Sequence, residues 1–412
     1  MGVRPGYKQT EAGVIPNAWG TKSLDAIAIV TSGKRLPLGA SLTERETARP
    51  YVRVTDMRPG TVSLADIKYV PVEVSPAIKR YRIFKDDIFI TVAGTLGIVG
   101  KIPSEINGAN LTENADRITN ISCSQDYLLY VLMSPLIQSK IDSLQTVGAQ
   151  PKLALTRIRK FDIPLPPTKS EQEAIAEALS DADALIESLE QLLTKKRQIK
   201  KGAMQELLTG EKRLPGFSGE WKLNRLAQVA DVHRKNVVPA LSGDTLFMHF
   251  SLPAFDGGRR PVMEFGEEIG SNKFSVPESA VLVSKLNPRI SRVWAPIYVG
   301  SNAVASTEFL VLTPRDRISR IFLYFLCLSP RFCEQMRLLT SGTTGSHQRI
   351  SHPEVMNVEV WYPENIVEQR AIATILSDMD AEITALETKL SKAHLIKQGM
   401  MQELLTGRIR LL

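Results

Sequence analysis

The sequence predicts a mixed α/β (α+β) fold: two variable domains separated by a pair of long antiparallel helices that form an intramolecular coiled coil, with pseudo-two-fold symmetry. Three observations predict it. Residues 171–214 and 368–411 align without a gap at a constant offset of 197, with 27 of 44 positions identical. Both copies close on the same seven residues, MQELLTG, at 204–210 and 401–407. Both carry apolar residues at heptad spacing. The period far exceeds the roughly 20–50 residues of a solenoid repeat, so one large module is used twice.

The first variable domain spans 1–167. Its short apolar runs, punctuated by Gly, Pro, Asn and Asp, read as strands, with one or two helices before Ser134-Pro135. The central repeated helix follows at 168–214. Its apolar positions Ile175, Leu179, Ala182, Ile186, Leu189 and Leu193 follow a 4,3,4,3,4 spacing, which makes a coiled-coil seam. The second variable domain, 215–364, repeats the pattern of short strands, with Ser329-Pro330 in the place of Ser134-Pro135. The C-terminal repeated helix, 365–412, keeps the seam at Ile372, Leu376, Met379, Ile383, Leu386 and Leu390. Thr168 with Glu171, and Asn365 with Glu368, have the spacing of a capping box. Gly210 and Gly407 stand where a left-handed C-terminal cap belongs. A helix of about 40 residues is about 60 Å long, more than one domain requires. The equal partner for each stripe is the other copy, although packing of each helix on its own domain alone stays open. Arg213-Leu214-Pro215-Gly216 leading to Trp221 matches Arg410-Leu411 at one end and Pro5-Gly6 leading to Trp19 at the other. The N-terminus therefore reads as a continuation of the C-terminus, and circular permutation should be tolerated.

Composition limits the class. A chain of 412 residues with 43% hydrophobic and 23% charged residues suits two domains with their own cores plus connectors. No run approaches the ~18 apolar residues of a membrane span, and the first residues lack a signal-peptide core, so the reading is cytoplasmic. Cys123, Cys327 and Cys333 have no metal-ligand spacing and read as reduced core thiols. The net charge of +7 fits nucleic acid as well as many other proteins. Lys195-Lys196-Arg197 with Lys200-Lys201 reads as a solvated cationic stretch late in a helix.

Candidate binding residues follow the apolar strands. After Asp87 to Thr91 comes a loop with Thr91 and Thr95; after Ala280 to Ser284 comes one with Lys285, Asn287, Arg289 and Arg292. Cations pair with phosphates and an amide suits the edge of adenine, although a solvated polar hairpin would read the same way. Lys152 and Arg349 join them from the matching segments 148–153 (GAQPKL) and 345–350 (GSHQRI). Catalytic motifs are missing. Gly94 to Lys101 misses the phosphate-loop spacing, with Ile102 where Ser or Thr belongs. Asn287-Pro288 continues into Arg289 and not into an amino-methylation motif. His233, His249, His347, His352 and His394 show no zinc-protease spacing, Glu387 with Lys389 lacks a nuclease aspartate, and no nucleophile elbow occurs. The expected site therefore has no catalytic residue and no metal.

Two variable domains, two long helices opening with EQxAIAxxLSxxD and closing with MQELLTG, and the linker Arg213 to Trp221 together resemble the DNA-specificity subunit of type I restriction-modification systems. The resemblance spans essentially the whole chain. It implies that the variable domains are target-recognition domains, each reading one half of a bipartite, asymmetric double-stranded DNA site, with the helices as a ruler for the spacer. It also implies docking of two methyltransferase subunits, and of nuclease-translocase subunits in some systems. S-adenosylmethionine, ATP and magnesium would then be bound by those partners, with no cofactor and no catalysis in this chain. Trp361-Tyr362-Pro363, in place of Leu165-Pro166-Pro167, implies that the two methyltransferase contacts differ. The runner-up is a coiled-coil scaffold that binds DNA or protein without a methyltransferase partner; a third class, an enzyme with a site hidden in a variable domain, lacks supporting motifs.

Overall fold

The computed structural model describes residues 4–143, 152–340 and 348–411. The segments 148–151 and 345–347 of the two matched motifs, His347 included, lie outside the described residues. The chain forms two compact units, one from residues up to 189 together with those from 389 onward, the other from 190–388. Each unit thus takes part of both long helices, Lys169–Leu207 and Ile366–Leu404. Among the described residues no helix is long and apolar enough to cross a membrane.

In the first unit a sheet forms from β1 (Ile29–Ser32), β2 (Ile88–Thr91), β3 (Val99–Lys101) and β4 (Ala115–Thr119), in the order β3-β2-β4-β1. All four residues of β2 are buried, as a short continuous apolar run requires when both faces of a sheet are covered. One face packs on α1 (Gln125–Met133) and α2 (Pro135–Ser143); the other packs on a second sheet of strands 50–52, 68–69, 82–83 and 109–111. The second unit repeats the design. Here β5 (Ala230–His233), β6 (Val281–Ser284), β7 (Val293–Trp294) and β8 (Phe309–Pro314) run in the order β7-β6-β8-β5, with α3 (Arg320–Leu328) and α4 (Pro330–Leu338) on one face. A five-stranded sheet covers the other face, one strand more than in the first unit.

The Ser-Pro pairs mark the break between consecutive helices. Ser329 accepts a hydrogen bond from the Phe332 amide, and Pro330 supplies a first turn that needs no donor. One helix ends immediately before each pair and another begins at its proline, and a shorter helix lies earlier in each unit, at Leu24–Ile27 and Leu252–Asp256.

The repeated helices run antiparallel within each unit, since residue numbers fall along one as they rise along the other. In the first unit Lys397 bonds Asp183; in the second Lys200 bonds Asp380 at the equivalent repeat positions. Lys397 also lies 5.6 Å from the Tyr130 ring and Lys200 5.7 Å from the Phe325 ring. Tyr130 donates to Asp183 at 2.9 Å, and burial together with that bond pushes its phenol above the ordinary range. Of the seam residues, Ile175 and Leu179 join the first unit's domain core with Leu404 and Leu405; Ile372 and Leu376 join the second's with Leu207 and Leu208. Ile186, Leu193, Ile383 and Leu386 are buried, while Leu189 and Leu390 are half-buried. The helix ends are therefore parts of globular cores and not only of a seam.

The opening motif of each helix has a different use from the expected capping box. Thr168 does accept from the Glu171 amide at 3.2 Å, and Asn365 from the Val367 amide at 2.9 Å. The carboxylates do not return to the caps. Glu171 is taken by both Nε and Nη2 of Arg410, and Glu368 by the same atoms of Arg213, at 2.7–2.8 Å. These carboxylates are 3% and 1% exposed, and a bidentate guanidinium satisfies a buried carboxylate better than one backbone amide would. The following glutamines are equally matched. Gln172 accepts from the Ser124 amide and donates to the Pro166 carbonyl; Gln369 accepts from Ser319 and donates to Pro363. Gly210 and Gly407 take φ of 75° and 68°, and a Cβ at either would come within 3.1 Å of Trp221 or Trp19.

Leu179, fully buried, should cost about 2–5 kcal/mol as Leu179→Ala in chemical denaturation, against within about 0.5 kcal/mol for exposed Leu192→Ala. Arg410→Ala, which strands a buried carboxylate, should lower the melting temperature more than Arg408→Ala. Equal effects in either comparison would contradict these roles.

Candidate nucleic-acid interface

The sheet topology decides which side chains meet. In the second unit β8 runs antiparallel to both β5 and β6, so those two strands end beside its start. The residues just beyond are Arg234, Lys285 and Glu308. The Lys285 amide donates to the Glu308 carbonyl at 2.8 Å, and segment 348–350 lies alongside through Asn287 to Gln348 and Ile350 to Lys285. Arg349 forms a bridge with Leu286 and holds Glu308 at 3.0 Å. Burial pushes the Lys285 amine below the usual lysine range; Arg234 and Arg349 push the same way and Glu308 opposes them. His352 is likewise held low, by burial and then by Arg234 and Lys285. This is a concentrated cationic surface with one carboxylate.

The first unit builds the same surface from other residues. Strands β1 and β2 end beside the start of β4. Gly33 follows β1, where a Cβ would lie 2.0 Å from the Thr112 carbonyl oxygen, so only glycine fits. Exposed Lys34 and Arg35 come next, and Arg35 pairs with Glu113 at 3.1 Å. Lys152 bridges Ala93 as Arg349 bridges Leu286. Thr95 and Lys152 are both exposed at this end of the sheet.

The eight expected residues separate by geometry. Thr95, Lys152, Arg289 and Arg349 are exposed and Lys285 half-buried, all at the strand ends. No hydrogen bond or ion pair engages Arg289 among the described residues. Thr91 must be set aside: it is fully buried, and its hydroxyl accepts from the Ile98 amide at 2.9 Å, closing the turn. Arg292 is also set aside, because Asp256 binds its Nε and Nη2 at 2.8 Å each and its side chain is 12% exposed. Asn287 has a left-handed φ of 47° and buries its amide oxygen without a partner, so that oxygen is not presented for base reading. Sequence reasoning missed Lys34, Arg35, Arg234 and Lys235. The signal was present: a Lys-Arg and an Arg-Lys pair follow the two similar stretches at 24–30 and 226–232.

Cys327 is fully buried and burial raises its thiol pKa; Cys123 and Cys333 are raised for the same reason. Among the described residues no group of three or more His, Cys, Asp or Glu is arranged to hold a metal ion.

The sequence model described as the type I restriction modification DNA specificity domain matches residues 16–200 and 259–393, more than half of the chain. A protein of Methanocaldococcus jannaschii named as the MjaX type I restriction enzyme specificity subunit is 23% identical, covering 98% of this chain and 96% of its own length. The MjaVIII specificity subunit of the same organism is 25% identical, covering 68% of this chain and 70% of its own. The crystal structure of a type I restriction-modification S subunit from M. genitalium superposes with a TM-score of 0.58 at 16% identity, covering 94% of this chain and 96% of that one. A chain from a structure of complex assembly and conformational transition of the type I R-M system gives 0.56 at 18% identity, with 96% and 99% covered. At these identities the two likenesses establish a shared fold.

Lys285→Ala and Arg289→Ala should each weaken duplex binding, by about 1–3 kcal/mol for a base contact or with a salt slope reduced by about 1 for a phosphate contact. Arg292→Ala should chiefly lower stability by freeing Asp256. Titrations at several salt concentrations distinguish the cases; unchanged binding in the first two variants would remove this surface from the interface.

Proposed function

Because the chain belongs to the type I restriction-modification DNA specificity family, and is a specificity subunit of that kind, we propose that it reads a bipartite, asymmetric double-stranded DNA site, one half per unit. The matched cationic strand ends support this reading. Phosphate pairing by Lys and Arg gives affinity and register, while the unlike side chains around them, Thr95 and Lys152 against Arg289 and Arg349, give each unit its own choice of bases. Each long helix has 39 residues, about 58 Å at 1.5 Å per residue, which exceeds the ~34 Å of one turn of DNA and suits a spacer.

The observation that carries the rest is identity at exposed positions of the repeat. Core packing accounts for identical Ile175 and Ile372, or Leu179 and Leu376. It does not account for Asp181 and Asp378, Ala184 and Ala381, Lys195 and Lys392, or Gln205 and Gln402, which are exposed in both copies. Two matching surfaces in one chain suit two copies of one partner, here methyltransferase subunits. Methyl transfer then belongs to those subunits with S-adenosylmethionine. Translocation and cleavage, where they occur, belong to nuclease-translocase subunits with ATP and magnesium, and this chain contributes no catalytic group.

Co-expression with the methyltransferase subunit tests this directly. The parent should purify with two methyltransferase copies. Asp181→Lys combined with Asp378→Lys should lose both, with the melting temperature of the chain unchanged. A parent that binds none, or a variant that keeps both, would contradict the docking assignment.

A further inference from the structure

The first unit contains a cleft of about 400 Å³ lined by Arg80, Tyr81, Arg82 and Arg117 together with the end of β1 at Thr31 to Gly33. Three guanidinium groups share it, and among the described residues none of them is paired with a carboxylate. Arg82 uses Nε on the Gly108 carbonyl at 3.0 Å, and Arg117 uses Nη1 on the Arg82 carbonyl, so backbone acceptors hold both in place. Burial, with Arg49 nearby, makes the Arg82 charge harder to keep. Arg80 is exposed and lies 5.3 Å from the Tyr81 ring, while Lys34 lies 6.0 Å from the same ring. Like charges held together in a concave site repel unless an anion joins them.

The other unit shows that this arrangement is not demanded by the fold. Arg117 stands opposite Phe89 in the sheet register; the matching residue opposite Leu282 is Val311, which is fully buried in an apolar core. The second unit has a buried valine at that place, whereas the first unit has a guanidinium beside an open cleft. Its lining ends at Gly33, the residue before Lys34, whose amine lies 6.0 Å from the Tyr81 ring.

We propose that this cleft seats a phosphodiester of the DNA backbone, contacted by the first unit alone, with Arg80 as the outer clamp and Arg82 and Arg117 as its preset floor. The assignment rests on the DNA reading above and gives that reading an asymmetry of phosphate contact.

The test uses the full chain and a duplex carrying the site found by mapping its methylated positions. Arg80→Gln removes an exposed charge that supports no backbone group, so folding should persist, checked by an unchanged melting temperature. Its slope of log affinity against log salt should fall by about 1. Ethylation of one phosphate should cease to interfere with binding, in the half-site opposite to that affected by Lys285→Ala. Arg80→Lys should retain both properties. An unchanged slope and interference pattern in Arg80→Gln overturns the proposal. So does stabilisation of the parent, but not of Arg80→Gln, by inorganic phosphate alone when DNA binding is unaffected, since the cleft then takes a free anion. A parent chain that binds no duplex at all overturns the functional reading itself.

Discussion

A carboxylate removed from water must be paired at close range or its burial becomes prohibitive, and the arrangement of this chain depends on where Glu171 and Glu368 find their partners. Each sits in the first turn of a long helix, 1–3% exposed at its side chain, and each is gripped by two nitrogens of an arginine that follows the end of the other long helix. Arg410 reaches Glu171 and Arg213 reaches Glu368. The start of one helix is thus fixed to the tail of the other in both units. The adjacent glutamines tie the same turns to the domain helices through the amides of Ser124 and Ser319. Two residues with buried polar ends, a glutamate and a glutamine, fix the approach of each helix to its domain, and the lysine–aspartate pairs farther along maintain the antiparallel register.

That constraint leaves the variable domains free to differ. The sheets keep their strand order because burial on both faces of β2 and β6 is a matter of shape and apolarity, which many sequences satisfy. Strand ends that project from such a frame can change their side chains without disturbing the core. Lys34, Arg35 and Lys152 in one unit, and Arg234, Lys285 and Arg349 in the other, occupy the same end of the same topology. Affinity and base choice can therefore vary while the helices keep their shared residues.

The repeat made the long helices, their glycine caps and most of their buried stripe legible, since period and identity are properties of the chain alone. Interactions across the fold were not. The Glu171 and Glu368 spacing fits a capping box, and only the folded chain brings an arginine from more than 150 residues away to take each carboxylate. Thr91 and Arg292 have suitable chemistry for DNA, yet one closes a turn and the other is held by Asp256, 36 residues away. The Lys-Arg and Arg-Lys pairs were readable as sequence, but their value comes from the sheet order, which places the ends of β1 and β5 beside those of β2 and β6.

The central claim is that two unlike reading surfaces, held by one pair of helices, choose a two-part DNA site. Genome-wide mapping of methylated bases in cells producing this chain with its methyltransferase partner tests it most directly. The account predicts two different half-sites separated by a spacer of fixed length and free sequence, both lost when the chain is deleted. One contiguous motif, or a modification pattern that does not change on deletion, would contradict it.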